Sequence, residues 1–148
     1  MKTIIYIPMI YRGDKGLCPP TTPSCWYYRW QKKLWHFFDS IPYNIIWKAG
    51  PRTSNLEDPI KYLKQNIMSE NIKYSTKKLS RELKKADYVI VDFPSTPMSE
   101  AQRIGKKVFC VTPSWDFDFV REEHRKDMVF VNNEQEAVEE IMKFISEN

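Results

Sequence analysis

The chain of 148 residues has only three cysteines and two histidines. Cys18, Cys25 and Cys110 are odd in number and show no CxxC spacing, which excludes a disulfide framework. His36 and His124 lie far apart, so the spacing of a zinc site is missing as well. Long hydrophobic runs are also lacking. The stretch from Ile4 to Ile10 is too short to span a bilayer and is followed by no small-residue cleavage site. Neither sign of charge dominates: a net charge of +4 and a pI near 8.9 suit phosphate-bearing ligands but fall short of a nucleic-acid-binding surface. There is no internal repeat, no low-complexity segment and no two-residue hairpin signal. What remains is the composition of a soluble, cytoplasmic, single-domain protein, 42% hydrophobic and 28% charged. A chain of this size buries about 68–70% of the surface it exposes when unfolded.

Apolar runs of strand length alternate with helical patterns. Thr3 to Pro8, Asn44 to Lys48, Asn71 to Tyr74, Tyr88 to Asp92, Lys107 to Val111 and Met128 to Val131 read as strands. Between them, helices are expected over Ser24 to Phe38, Ile60 to Asn66 and Lys77 to Lys85. A last helix begins at Asn133–Glu134 with Ala137, Val138, Ile141 and Ile145 on its apolar face. This order predicts an α/β fold with a doubly wound parallel sheet, Rossmann-like, with about six strands and helices on both faces.

Residues 86 to 111, ADYVIVDFPSTPMSEAQRIGKKVFCV, carry the most information. Tyr88 to Val91 fits a central strand covered on both faces, and Asp92 ends it. Thr96 is the expected N-cap of a helix with Pro97 at its first position. The first-turn amides of such a helix lack intrahelical partners and its dipole favours negative charge, so a phosphate or carboxylate can bind there. Glu100, four residues after Thr96, shares its helical face, within reach of the hydroxyls of a ligand held at the helix start.

Ligands of open parallel sheets bind outside the carboxyl ends of the strands. After the first strand come Arg12, Gly13, Lys15 and Gly16, after the second Lys48, Gly50 and Arg52, and after the fourth Ser95 and Thr96. Convergence of these groups would make a cradle for a diphosphate. Surface loops are commonly rich in the same residues, so each cation can also be read as solvated surface. Lys48 stands out because it directly follows the buried run Ile45-Ile46-Trp47.

The pieces TIIYIP, NIIWKAGP, NIKY, ADYVIVDFPSTPMSEA and GKKVFCV, with the closing amphipathic helix, resemble the nucleotide-sugar-binding C-terminal half of GT-B glycosyltransferases. This group includes CDP-glycerol glycerophosphotransferases and UDP-GlcNAc 2-epimerases, surface-polysaccharide enzymes. The resemblance covers nearly the whole chain, residues 1 to 148, and is most specific over residues 86 to 111. It implies a UDP- or CDP-linked donor, with Ser95 and Thr96 on the phosphates, Glu100 on the ribose and Lys48 on the diphosphate. It implies no cofactor and no metal, and it assigns no catalytic residue. Ala49-Gly50 stands where many relatives carry a side chain followed by histidine. The acceptor-binding half of this fold normally lies N-terminal. The chain is therefore read as a truncated piece or as one subunit of a split enzyme, in need of an acceptor-half domain or partner.

Other readings remain. A non-catalytic nucleotide-binding subunit or sensor fits the same residues, and a nucleoside deoxyribosyltransferase-like enzyme would use Glu100 as a covalent nucleophile. Asp116-Phe117-Asp118 has the DxD spacing of the metal-dependent GT-A class, a short match that chance produces often. Trp115 or Phe117 could instead contact a base or anchor their loop. In the aromatic segment 26 to 38, Trp26, Trp30, Leu34 and Phe37 follow the helical period. Tyr27, Tyr28 and Trp35 fall outside that stripe and belong either to an interface with a missing half or to a crowded core. His36 reads as a packed or surface histidine in preference to a base.

Overall fold

The structure, a computed structural model, describes residues 1–9, 24–48, 69–113 and 120–148. Six strands form one parallel sheet: β1 (Thr3–Ile7), β2 (Asn44–Lys48), β3 (Ile72–Ser75), β4 (Tyr88–Val91), β5 (Lys107–Pro113) and β6 (Met128–Val131), in the spatial order β3-β2-β1-β4-β5-β6. The described helices are α1 (Ser24–Ser40), α2 (Leu79–Leu83), α3 (Thr96–Arg103), α4 (Glu122–Arg125) and α5 (Glu134–Glu147). The expected alternation is therefore present, with β4 lying between β1 and β5 at the centre of the sheet. The helix expected over residues 60 to 66 lies outside the described residues. No helix among those described is long and apolar enough to cross a membrane.

Strand pleating sends alternate side chains to two cores. Ile4 and Tyr6 of β1, Ile45 and Trp47 of β2, Tyr88 and Ile90 of β4 and Val111 of β5 face α1 and α5. Ile5, Ile7, Ile46, Val89, Val91, Val108 and Cys110 face the opposite way, against Leu83 of α2 and Met98 and Ala101 of α3. The first core is dominated by rings. Tyr6 packs edge-on to Trp47 at 4.5 Å between centroids, and Trp35 tilts against the same indole at 5.2 Å. Tyr27, Trp35 and Phe38 are buried along with Trp30, Leu34 and Phe37, while Trp26 and Tyr28 are half-buried against them. The off-stripe aromatics Tyr27 and Trp35 thus belong to the core. One stripe underestimates the buried arc of α1 because this helix is covered by the sheet, by α5 and by its own stacked rings, Trp26 on Trp30 at 5.4 Å.

Local chemistry fixes the element ends. Helix α1 runs two residues beyond Phe38, to Ser40, whose hydroxyl donates to the Phe37 carbonyl at 2.7 Å. The Asn71 amide donates to the carbonyls of Phe38 and Ile41 at 2.9 and 3.1 Å, satisfying groups the helix end leaves open. Helix α5 starts as expected: the N-cap Asn133 Oδ1 accepts from the Glu136 amide at 2.9 Å, and the Glu136 carboxylate accepts from the Asn132 amide, one residue before the cap, at 2.8 Å. Helix α3 stops where Gly105 turns to φ +77°, a backbone conformation that side chains with a Cβ disfavour.

Candidate functional site

All six strands point the same way, so their carboxyl ends share one edge. After β1 the chain builds outwards through β2 and β3, then returns to place β4 on the other side of β1 and continues through β5 to β6. The strand order therefore reverses between β1 and β4. At such a switch point the connections leave in opposite directions and open a crevice at the carboxyl edge.

The side chain nearest that point is Asp92, directly after β4 and fully buried. It lies on the α1 face, in register with the pleat of Tyr88 and Ile90. Its Oδ1 accepts from the Met9 amide at 2.8 Å, and its Oδ2 accepts from the hydroxyls of Tyr6 and Tyr27. Tyr27 in turn accepts a second bond from the Met9 amide at 2.7 Å. Burial pushes the Asp92 carboxyl up to about 6 from its ordinary 3.8, against the pull of the two tyrosines and the amides. Burial also drives the Tyr27 hydroxyl well above its usual range, with the charge of Asp92 adding to it. The cluster ties the ends of β1 and β4 to α1.

On the other face stands the start of α3. The N-cap is Ser95, in extended conformation at φ −120° and ψ 177°, and Thr96 is the first helical residue. The expectation of a Thr96 cap was therefore one residue late, because Pro97 tolerates the second helical position as well as the first. The Ser95 side chain makes no capping bond, and its carbonyl takes the amides of Met98 and Ser99 at 3.0 and 3.2 Å. Those two amides are thus engaged, and Pro97 has none. The Ser95 and Thr96 amides find no acceptor among the described residues. Ser95 is half-buried and Thr96 exposed. Glu100 is half-buried one turn further on, and its carboxylate has no hydrogen bond or ion pair among the described residues.

Lys48 closes β2 and is half-buried. Pleating places it with Ile46 on the α3 face, and two strand spacings, about 10 Å, separate the ends of β2 and β4. Burial lowers the Lys48 ammonium below its ordinary value, and the buried Glu82 carboxylate on α2 partly offsets this. The structure thus brings Ser95 and Thr96 together, sets Glu100 one turn away, and puts Lys48 on the same face two strands across. Arg12, Gly13, Lys15, Gly16, Gly50, Arg52, Trp115 and the Asp116–Asp118 match lie outside the described residues.

Three features were not foreseen. Asp92 reads in the sequence only as a strand terminator, because Tyr6, Met9 and Tyr27 are all remote from it in the chain. Ser99 of α3 meets the buried His124 of α4, with Oγ 2.6 Å from Nε2, and Gln102 one turn later donates to the Glu123 carbonyl at 2.8 Å and to Asp127 at 2.7 Å. These bonds fasten α3 to α4. Thr112, near the end of β5, is fully buried, and its hydroxyl has no partner among the described residues. A hydroxyl in the otherwise apolar run Val108-Phe109-Cys110-Val111 was the available signal. His36 is exposed on α1, and burial raises the Cys110 thiol well above its usual range, so neither is poised for chemistry. Among the described residues, no three of His, Cys, Asp and Glu gather to hold a metal ion. No protein-family model, curated protein or solved structure matches this chain.

Proposed function

We propose that this domain binds a nucleoside diphosphate linked to a sugar or alcohol at the carboxyl edge of its sheet. It would serve as the donor-binding half of a glycosyltransferase of surface-polysaccharide type. The observation that carries this reading is a coincidence of position: α3, within the segment that resembles the donor half of GT-B enzymes, starts beside the reversal of strand order between β1 and β4. In this reading Ser95 and Thr96 hold a phosphate, Lys48 neutralises the diphosphate and Glu100 takes the ribose hydroxyls. Catalysis would then come from stabilising the departing diphosphate with donors already aimed at it.

A narrower role, binding without turnover by this domain alone, has an observation in its favour. The Asp92 carboxylate is engaged by three donors and the Cys110 thiol is buried. Neither is open to take a proton from a bound substrate. In this reading a base for acceptor activation comes from a partner half.

A thermal-shift screen of nucleoside diphosphates and their sugar conjugates tests the shared core of both readings. A ligand at a hundred times its Kd stabilises the folded state by about 2.7 kcal/mol. A UDP- or CDP-linked compound is expected to raise Tm, and the corresponding free sugar is not. No shift with any nucleotide would contradict the proposal.

A further inference from the structure

Thr112 on β5 is 0% exposed, and its Oγ1 lacks a hydrogen-bond partner among the described residues. Among the described residues, two other buried polar side-chain atoms share that condition, the indole nitrogens of Trp30 and Trp35. Their rings fill the aromatic core, and the large apolar area they bury outweighs an unmet N–H. Thr112 has no such compensation. Valine has nearly the same shape and would bury without an orphan hydroxyl, so a threonine here costs stability unless something bonds to it.

The position of the hydroxyl indicates what that is. Cys110 faces α3 with Val108, and the pleat places Thr112 on the same face. Helix α3 descends as β5 climbs: Lys106, just before β5, donates its amide to the Ala101 carbonyl at 3.1 Å. Four residues of strand from Val108 to Thr112 rise about 13 Å. The helix from Thr96 to Arg103 is about 12 Å long. Thr112 therefore stands level with the first turn of α3, where the Ser95 and Thr96 amides also lack acceptors among the described residues.

We infer that Thr112 is a phosphate-binding residue: its hydroxyl donates to an oxyanion that the Ser95 and Thr96 amides hold from the helix side. This rests on the nucleoside diphosphate reading above and deepens it. The phosphate is gripped between the helix start and β5, so the site requires a phosphoryl group pressed against the sheet and not merely negative charge at the rim. A carboxylate, flat and with only two oxygens, would not bridge the helix and the strand as well.

Calorimetric titration of UDP, CDP, uridine and cytidine into the parent chain, Thr112→Val and Thr112→Ser tests the inference. Thr112→Val is expected to weaken the diphosphates about tenfold, as loss of a hydrogen bond to a charged group does. Thr112→Ser should restore most of that loss. Nucleoside affinity should stay unchanged in both, and the Tm of unliganded Thr112→Val should equal or exceed that of the parent. Parental diphosphate affinity in Thr112→Val, or equal losses for nucleoside and diphosphate, would overturn the role of Thr112. Inorganic pyrophosphate separates this from failure of the nucleotide reading. Pyrophosphate binding that Thr112→Val weakens, with no nucleotide bound, would keep the phosphate site and refute the nucleotide. No binding of pyrophosphate or any nucleotide by the parent would refute both.

Discussion

The two faces of the sheet solve different problems. Beneath α1 and α5 lie Tyr6, Tyr27, Trp30, Trp35, Phe38, Trp47 and Tyr88, and the buried Asp92 among them is bonded to two tyrosine hydroxyls and a backbone amide. The described part of the other face is lined by aliphatic and small side chains, Ile5, Ile46, Val89, Met98, Ala101 and Val108. At its carboxyl edge, three kinds of polar group find no partner among the described residues: two amides at the start of α3, the Glu100 carboxylate and the Thr112 hydroxyl. A buried polar group that is satisfied stabilises a fold, while one left open calls for a water or another partner. On the proposed reading the aromatic face is scaffold and the α3 face is the candidate site.

The largest effect that would sharpen the contrast is the loss of a central ring. Trp47→Ala removes the indole on which Tyr6, Trp35 and Phe38 pack and should cost about 3–5 kcal/mol in denaturant unfolding. A loss below about 1 kcal/mol would mean that this face is not the scaffold.

Asp92 comes next. Its folded pKa of about 6 exceeds the ordinary 3.8, so the folded state holds this proton more tightly than the unfolded chain does. The stability this lends is fully present below pH ~4 and is lost as pH rises through about 6, to the extent of about 3 kcal/mol. Asp92→Asn does not titrate. The stability of the variant relative to the parent should therefore improve by about that amount between pH 4 and pH 7, measured by urea unfolding. A difference that stays constant with pH would show that Asp92 ionises as an ordinary carboxylate.

The smallest effect on folding belongs to the site. Glu100→Gln should change stability by at most about 1 kcal/mol, the size of a charge effect near a helix start. It should lower affinity for nucleoside and nucleoside diphosphate by the same factor, about tenfold, because a carboxylate on the ribose serves both. Unchanged affinity for both ligands in parallel titrations would remove Glu100 from the site.

What the sequence revealed follows the range of the interactions. Strands β2 and β6 are legible to the residue, because Asn44–Lys48 and Met128–Val131 are bounded by local turn and cap signals. The cap of α5 at Asn133 is equally local. The start of α3 is one residue off, since serine, threonine and proline in succession allow two cap positions and only the backbone dihedrals decide. Tyr27 looked out of place because helical period alone describes a helix with one covered side. Alternation implied a parallel sheet but not which strand lies beside which, so the reversal at β1 and β4 had to come from the pairing itself. The bonds of Asp92 and the empty hydroxyl of Thr112 depend on contacts between distant segments, which no spacing encodes.

The central claim, that the α3 face binds a diphosphate at the carboxyl edge, is tested most directly through Lys48. Calorimetric titration of UDP, CDP, uridine and cytidine into the parent and Lys48→Ala isolates its contribution. Loss of a charge-assisted hydrogen bond of about 1.5–3 kcal/mol predicts diphosphate binding weaker by about tenfold to a hundredfold, with nucleoside binding unchanged. Equal diphosphate affinity in the two proteins would contradict the account.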